Sequence, residues 1–245
     1  MSKLSVGDLL RVSFRLAFLQ VTWCEGSMQS EGLAYCLLPG LGRIHEDPDS
    51  LNSSLRKYRA PFNTHPYMVG VVAGSILRME EEGASYKRVT SFLRGTMGPL
   101  AAVGDPFFRS ALAPTSAILA SLAALLFGAI AGIAVLLVAF NLLHLLIRIR
   151  GVFVGYRDGE AALTRVTGWM ESRRTRLLKT AAATTGGIFL GVLFSDSGAV
   201  PVHLASGAGG AGALLLALGL VGRRALWVYV APALLAALFV LEVVS

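Results

Sequence analysis

Charged residues are scarce in this chain. Asp, Glu, Lys and Arg make up 15% of its 245 residues, whereas ordinary soluble domains carry about 25%. Hydrophobic residues make up 54%, and the mean hydropathy is +0.64. Because so few charges cannot cover the surface of a soluble globule, the composition indicates a membrane protein. The net charge of +7 comes from Lys and Arg beside apolar runs, a pattern that favours membrane orientation over nucleic-acid binding.

Cysteine and metal-binding motifs are also scarce. Cys24 and Cys36 are too far apart for a CxxC pair and lie in apolar sequence, which predicts two inert, buried thiols. A membrane hydrolase built from His65, Asp105 and one of Glu80–Glu82 would need ligands at a spacing such as HExxH, and the chain has none. The sequence therefore predicts neither a metal centre nor a catalytic residue.

The N-terminal region lacks a long apolar run. Charged residues interrupt residues 1–20, so this stretch is not the apolar segment of a cleavable signal peptide. Leu9, Leu10 and Phe14 recur near helical spacing with the charges on another face, which predicts an amphipathic helix at an interface or against a partner. Residues 23–39, taken alone, are typical of an interfacial helix that ends at its last residue, a proline.

Two prolines enclose a polar stretch, Pro61–Tyr67, within apolar sequence. Each proline fixes its own φ, removes a backbone donor and disfavours helix at the preceding residue, so no helix runs through this stretch. Asn63, Thr64 and His65 therefore lie on a non-helical segment, where they offer donors and acceptors to a polyhydroxy ligand. An alternative, which can hold at the same time, is that Asn63 and Thr64 cap a helix that begins near Pro66.

A second break is predicted at residues 97–106, where glycine and proline enclose one carboxylate, Asp105. Irregular backbone at membrane depth is tolerated only where protein buries it or where it lines a watery cavity, and broken helices mark the binding sites of transporters. The two breaks therefore predict one substrate site, formed by Asn63, Thr64, His65 and Asp105. A structural role is also open for Asp105, since an aspartate before a proline often stabilises its own turn.

The rest of the pattern is helical. We predict an all-α, polytopic membrane protein with an amphipathic or re-entrant N-terminal half and several C-terminal transmembrane helices. Between the two breaks, residues 68–79 predict a short apolar helix that runs into Glu80–Glu82. These three carboxylates predict either a solvated helix end or one side chain that faces inward to pair with an arginine.

The strongest spanning signal is residues 117–147. As one helix this span would be about 45 Å long, which exceeds the roughly 30 Å hydrocarbon core, so it must tilt, kink or protrude. Gly128 and Gly132 predict close packing against another helix. His144, near the end of the span, is predicted to be packed or interfacial, because no second metal ligand accompanies it.

The predicted regions follow from these spans and from the positive-inside rule, which puts the basic residues of the third region in the cytoplasm. They are 1–116, an amphipathic and re-entrant region; 117–147, a long transmembrane helix; 148–179, a basic cytoplasmic segment; and 180–245, the C-terminal transmembrane helices. Their order predicts that both polar breaks lie in the first region.

Several motifs occur together and in a fixed order. They are WxxxxMQxxGxAYxLxP at 23–39, PFNTHPY at 61–67, LRMEEEGA at 77–84, MGPLAAVGDPFF at 97–108 and, more weakly, GYRDGEAAL at 155–163. Over residues 10 to 195 this combination resembles subunit IID of the mannose/fructose/sorbose-type sugar phosphotransferase system. Five ordered motifs are far more specific than any one of them.

The resemblance implies a membrane subunit that pairs with subunit IIC to form the path for phosphorylation-coupled hexose import across the bacterial inner membrane. It implies an oligomer of IIC/IID pairs in the lipid bilayer, with no cofactor and no nucleic acid. Phosphoryl groups would arrive through the soluble subunits IIA and IIB. The chain would then be non-catalytic, and His65 would be a sugar or structural contact rather than a phosphorylated residue.

The chain departs from the family pattern in two places. Gly26 and Ser27 stand where relatives usually have a Glu-Arg pair, and Ala113 stands where an arginine often occurs. These departures leave open an alternative function, in which a degenerate IID-like subunit regulates or senses beside an incomplete phosphotransferase system.

Overall fold

The computed structural model of the protein describes residues 3–170 and 172–196, and the regular structure of those residues is helical. The α-helices in this part of the chain are α1 (Val6–Arg15), α2 (Ser30–Ile44), α3 (Pro48–Leu55), α4 (Val69–Glu81), α5 (Tyr86–Phe107), α6 (Ala113–Phe127), α7 (Ala129–Leu136), α8 (Leu143–Asp158), α9 (Ala161–Trp169) and α10 (Ser172–Asp196). The predicted all-α fold is confirmed for these residues. The transmembrane helices predicted beyond residue 196 lie outside them.

Two helical runs of the described chain are long and apolar enough to cross a membrane, Tyr86–Phe127 and Ala129–Asp158. The described residues also fall into two compact units. The first comprises residues 3–107 and 141–170, and the second comprises 108–140 and 172–196. All four predicted site residues belong to the first unit.

In the second unit, the span predicted as one long helix is broken at Gly128. This glycine has φ +91°, a conformation that side chains with a Cβ rarely adopt, and it separates α6 from α7. Gly132 then lets α7 approach α6, because a Cβ on Gly132 would lie 2.6 Å from the Cβ of Ala124. The predicted close packing is confirmed at Gly132, although its partner is the other half of the same span, and it is wrong at Gly128, where a Cβ would meet nothing within 4 Å.

Helix α8 crosses a predicted boundary. Residues 148–158 were assigned to the basic cytoplasmic segment, but they form the second half of α8 and belong to an apolar helical run. The predicted boundary at residue 148 thus falls inside one helix, and the cytoplasmic location of this segment stays a prediction.

Helices α4 and α8 are packed backbone against backbone, and this crossing is the centre of the first unit. Each helix carries a GxxxG pair, Gly70 with Gly74 on α4 and Gly151 with Gly155 on α8. A Cβ on Gly74 would lie 2.0 Å from the carbonyl oxygen of Val152, and a Cβ on Gly155 would lie 2.3 Å from that of Val71. Side chains larger than glycine are therefore excluded, as in other small-xxx-small crossings.

The predicted helix end at Pro39 is wrong, because α2 continues through this proline to Ile44. A proline inside a helix leaves the carbonyl four residues earlier without its N–H donor, and here that carbonyl belongs to Tyr35. The Arg15 guanidinium donates a hydrogen bond of 3.0 Å to the Tyr35 oxygen and also lies 4.6 Å from the centre of the Tyr35 ring. A side chain from α1 thus supplies the donor that Pro39 lacks.

The second predicted break is also wrong. Residues 97–106 belong to α5, which contains Pro99 and Pro106 in its interior. The carbonyl four residues before Pro99 belongs to Gly95, which has no side chain to add to the crowding. After Pro106 the helix widens into a π-helical turn, Phe108–Leu112, instead of ending.

The amphipathic N-terminal helix is present as α1, but its faces differ from the prediction. Asp8 is buried rather than exposed. Its carboxylate is satisfied there, because it accepts hydrogen bonds from the backbone N–H and the hydroxyl of Ser5 in a capping box. These bonds hold the pKa of Asp8 below its ordinary value. Leu9 is buried beside it, whereas Leu10 and Phe14 are exposed. The predicted apolar face is therefore split between the core and the surface.

The two cysteines also differ from each other. Cys36 is buried as predicted, its thiol donates to the carbonyl oxygen of Arg15 at 3.2 Å, and burial raises its pKa to about 12. Cys24 is exposed, 2.9 Å from the Ser27 hydroxyl, so the predicted burial of this thiol is wrong. A short apolar stretch alone does not distinguish a core residue from one on an exposed turn.

Candidate functional site

The predicted segment Pro61–Tyr67 is non-helical and is held to the start of α2 by a buried glutamine. The Gln29 amide donates to the Thr64 carbonyl at 2.8 Å and accepts from the Thr64 N–H at 3.1 Å. The Gln29 N–H also donates to the Phe62 carbonyl at 2.8 Å. Gln29 thus supplies hydrogen bonds to backbone groups of this segment that have no helical partner.

Thr64 connects this segment to α5. Its buried hydroxyl donates to the Met97 carbonyl at 3.0 Å, so the two predicted motifs meet in space. The alternative in which Asn63 and Thr64 cap the following helix is wrong. Helix α4 begins at Val69, its N-cap is Met68, and no side chain caps it.

His65 and Asp105 are brought together, as predicted for one site. The imidazole of His65 is 4% exposed, and its Nε2 lies 3.8 Å from Oδ1 of Asp105. Its Nδ1 accepts from the Tyr67 N–H at 3.4 Å, an arrangement that places the proton on Nε2, facing the carboxylate. Gly104 makes this approach possible, because a Cβ there would lie 2.5 Å from the Cβ of His65.

Asn63 lies at the edge of this arrangement. Its N–H approaches the Met97 sulfur at 3.4 Å, whereas its side chain is exposed and hydrogen-bonds to no other residue that the structure describes. The Asp105 carboxylate is likewise 54% exposed. Of the four predicted residues, Thr64 and His65 are therefore built into the fold, while Asn63 and Asp105 present polar groups outward.

An aromatic and cationic cluster adjoins His65, and the sequence prediction missed most of it. We refer to His65, Tyr67, His144 and Arg148 as the Tyr67 cluster. The Tyr67 ring stacks on His144 with centroids 4.4 Å apart, and His65 contacts Tyr67 at 5.1 Å in an edge-on geometry. The Arg148 guanidinium carbon lies 5.1 Å from the Tyr67 centroid. The prediction of a packed His144 is confirmed.

The sequence feature that could have indicated this cluster is the spacing of residues along α8. His144, Arg148, Gly151 and Gly155 follow the spacing of one helix face, so the polar residues continue the face that packs on α4. Tyr67 precedes Gly70 on α4 by three residues. The GxxxG crossing therefore brings the start of α4 against the start of α8.

A second buried polar cluster lies at the other end of α4, where the acidic run was predicted to be solvated or paired with an arginine. Glu80 is 4% exposed and accepts from Lys57 at 2.8 Å and from the Tyr58 hydroxyl at 2.6 Å. The imidazole of His45 lies 3.1 Å from the same carboxylate. One glutamate thus faces inward as predicted, but its cation is a lysine.

The titration of the Glu80 cluster follows from these contacts. Burial raises the pKa of Glu80, but the hydrogen bonds from Lys57, Tyr58 and His45 outweigh it, so the pKa lies below its ordinary value. Burial, followed by the nearby carboxylate, raises the pKa of the Tyr58 hydroxyl well above its ordinary value. Glu80 is therefore ionised and fully paired. Across residues 3–170 and 172–196, no three His, Cys, Asp or Glu side chains are grouped to hold a metal ion.

These features define a class. Two apolar helical runs of membrane-crossing length, a glycine-packed helix crossing and a buried polar and aromatic cluster beside it are features of a helical membrane protein. The family model described as "PTS system mannose/fructose/sorbose family IID component" matches residues 3–241. The chain belongs to this family, the IID components of mannose-family phosphotransferase permeases.

Curated relatives carry the same description. The mannose-specific EIID component of Escherichia coli K12 is 31% identical over 163 residues, which span 64% of this chain and 57% of that protein. The fructose permease IID component of Bacillus subtilis is 30% identical, with 79% of this chain and 70% of that protein covered. The sorbose-specific EIID component of Lacticaseibacillus casei is 30% identical, with 83% and 72% covered.

Solved structures share the fold. The cryoEM structure of the mannose transporter ManYZ in complex with microcin E492 contains a chain with 27% identity and a TM-score of 0.61, matched over 79% of this chain and 71% of that one. A structure described as a membrane protein matches with 28% identity and a TM-score of 0.65, over 78% and 71%. The resemblance drawn from the sequence motifs is confirmed.

Proposed function

We propose that this chain pairs with a membrane subunit IIC to form the sugar path of a permease that imports a hexose and couples import to phosphorylation. In this proposal the chain is a multi-pass protein of the bacterial cytoplasmic membrane. Phosphoryl groups pass through the soluble subunits IIA and IIB, and this chain catalyses no step. Its role is to bind the sugar and to form part of its route, in an oligomer of IIC/IID pairs.

One observation carries the proposal. The non-helical segment Pro61–Tyr67 is pinned by Gln29 and Thr64, so that it presents His65 to Asp105 and Asn63 to the exterior. Irregular backbone of this kind is tolerated in a membrane protein where it lines a polar site. Buried polar groups matched to sugar hydroxyls discriminate sharply, because an analogue without the hydroxyl leaves them unpaired.

Family membership supports the partners. The relatives are named as components of permeases for mannose, fructose and sorbose, and ManYZ, whose structure contains a similar chain, is named as a mannose transporter. The departures from the family pattern are not among the four proposed site residues. Gly26 is on an exposed turn where an added Cβ would meet nothing within 4 Å, and Ala113 starts α6 in the second unit.

The test is uptake and phosphorylation of a panel of hexoses in cells that contain this chain with IIC, IIA and IIB. We expect uptake of at least one hexose by the wild type and its loss in Asn63→Ala and His65→Ala at unchanged membrane abundance. Asn52→Ala, at an exposed asparagine of α3, is the matched control and should retain uptake.

Two outcomes contradict the proposal in different ways. Normal uptake by both site variants would remove the segment from the sugar path. A wild type that assembles with IIC but moves no hexose would contradict transport itself and favour the regulatory alternative.

A further inference from the structure

Arg148 is a buried cation without a counter-charge among the residues that the structure describes. The residue is 8% exposed, and its Nε is one of two side-chain nitrogen or oxygen atoms in the described chain that are fully buried without a hydrogen-bond partner. Among the described residues, no carboxylate lies within ion-pair distance of its guanidinium. Burial of a charged donor without an acceptor is costly, and intramembrane cations without such partners commonly mark substrate pathways.

The surroundings of Arg148 join it to the proposed site. Its guanidinium lies against Tyr67, Tyr67 contacts His65, and Nε2 of His65 faces Asp105. The close approach of α8 to α4 fixes this arrangement, since a Cβ on Gly70 would lie 2.2 Å from the Arg148 carbonyl oxygen. The main chain of Arg148 is therefore held in place, while its Nε lacks a hydrogen-bond acceptor among the described residues.

The mixture of groups indicates the chemistry of the missing partner. A guanidinium only donates hydrogen bonds, the Asp105 carboxylate only accepts them, and the two imidazoles of the Tyr67 cluster can do either. An anionic ligand would suit Arg148 but would be repelled by Asp105. A neutral ligand with several hydroxyls satisfies both, because each hydroxyl accepts and donates.

We propose that Arg148 is a further sugar-binding residue, which donates from its guanidinium to a hydroxyl oxygen of the hexose at the Tyr67 cluster. This inference rests on the proposed function and extends the site from the loop before α4 to the facing helix. The sugar then spans from Asp105 and His65 on one side to Arg148 on the other. Arg148 selects the hydroxyl that it contacts, since a sugar without that hydroxyl leaves the cation unpaired again.

The test compares the parent hexose with its single-deoxy analogues as competitors of uptake, in the complete IIC/IID complex with IIA and IIB. For one analogue we expect the wild type to bind about 10- to 100-fold more weakly than the parent sugar, the loss for one hydrogen bond to a charged group. In Arg148→Met the parent should lose a similar factor, and that analogue should no longer be disfavoured. Arg150→Met, at an exposed arginine two residues away, should keep the wild-type affinity for the parent hexose and the weaker binding of that analogue.

Three results would overturn the inference while leaving the proposed function intact. The first is parent affinity in Arg148→Met within twofold of the wild type. The second is that every single-deoxy analogue binds Arg148→Met more weakly than the parent hexose by the same factor as it does the wild type. The third is loss of co-purification with IIC, which would make Arg148 a subunit contact. If Arg148→Met does not accumulate, Arg148→Gln decides, because its amide fits the same space and should keep part of the discrimination. A wild type without uptake would instead contradict the proposed function.

Discussion

The two ends of α4 bury charged groups in opposite ways. At its C-terminal end, Glu80 is paired with Lys57 and accepts a further hydrogen bond from Tyr58. Near its N-terminal end, Arg148 lies against the Tyr67 ring, and its Nε has no partner among the described residues. Both groups are more than nine-tenths buried, so burial alone does not separate them.

This difference teaches how to tell a structural polar cluster from a binding site in one fold. A satisfied cluster contributes to stability, because removal of one member leaves the others unpaired. A buried cation with an unsatisfied donor, such as Arg148, costs stability until a ligand supplies the acceptor, which is the expected trade between function and stability. We therefore interpret the Glu80 cluster as structural and propose a binding role for the Tyr67 cluster.

The largest expected effect is on folding itself, and it comes from a change at the crossing of α4 and α8, which lies between the two clusters. Gly74→Ala would put a Cβ 2.0 Å from the Val152 carbonyl oxygen, which α8 cannot avoid without moving. We expect loss of most of the folded protein, measured as monodisperse yield in detergent. Gly168→Ala on α9, where an added Cβ meets nothing within 4 Å, should fold normally. Equal yields of the two variants would contradict the described crossing.

The next largest effect is expected at the Glu80 cluster, where every polar group has a partner. Glu80→Gln leaves the partly buried Lys57 without its anion and weakens the hydrogen bonds from Tyr58 and His45, and we expect a loss of about 3 kcal/mol in the free energy of unfolding at pH 7. The matched control is Glu82→Gln, because Glu82 pairs with Arg78 on the surface, and loss of an exposed i,i+4 pair costs about 0.5 kcal/mol.

The Glu80 effect should also depend on pH. The folded pKa of Glu80 lies below its ordinary value of 4.5, so its stabilisation is complete above that pH and is lost as the pH falls through the folded pKa. The difference between wild type and Glu80→Gln should therefore narrow in acid. A difference that stays constant from pH 7 to pH 3 would show that the carboxylate charge is not what stabilises this end.

A smaller effect is expected at Arg15, a satisfied arginine that serves as the counterpart of Arg148. Arg15→Met removes the donor to the Tyr35 carbonyl and should cost about 1 kcal/mol by thermal unfolding. In a Pro39→Ala background the new N–H can donate to that carbonyl, so the cost of Arg15→Met should fall. A double-mutant cycle measures this coupling, and strict additivity would contradict the compensation.

Much of the fold and part of the site could be predicted from the sequence. Pro61 and Pro66 predict that no helix runs through the segment Pro61–Tyr67, and the structure agrees. The two motifs that carry His65 and Asp105 meet in space, whereas the second of the two predicted chain breaks is wrong. Proline rules describe the cost to a local helix, and tertiary donors such as Arg15 offset that cost from elsewhere in the chain.

The missed residues share a cause. The charge of Arg148 favours a cytoplasmic segment, and Tyr67 is the last residue of a motif. Their roles depend on the crossing of α4 and α8, which are far apart in sequence. The two GxxxG pairs were visible in the sequence and would have indicated the crossing. Which side chains the crossing brings together follows only from the structure.

The most direct measurement is the thermal unfolding of Arg148→Met and Glu80→Gln, each purified without sugar and compared with the wild type. The account predicts that Glu80→Gln unfolds at a clearly lower temperature, whereas Arg148→Met is as stable as the wild type or more so, because removal of an unpaired buried cation relieves a cost. A large loss of stability in Arg148→Met, equal to that of Glu80→Gln, would contradict the distinction between the two clusters.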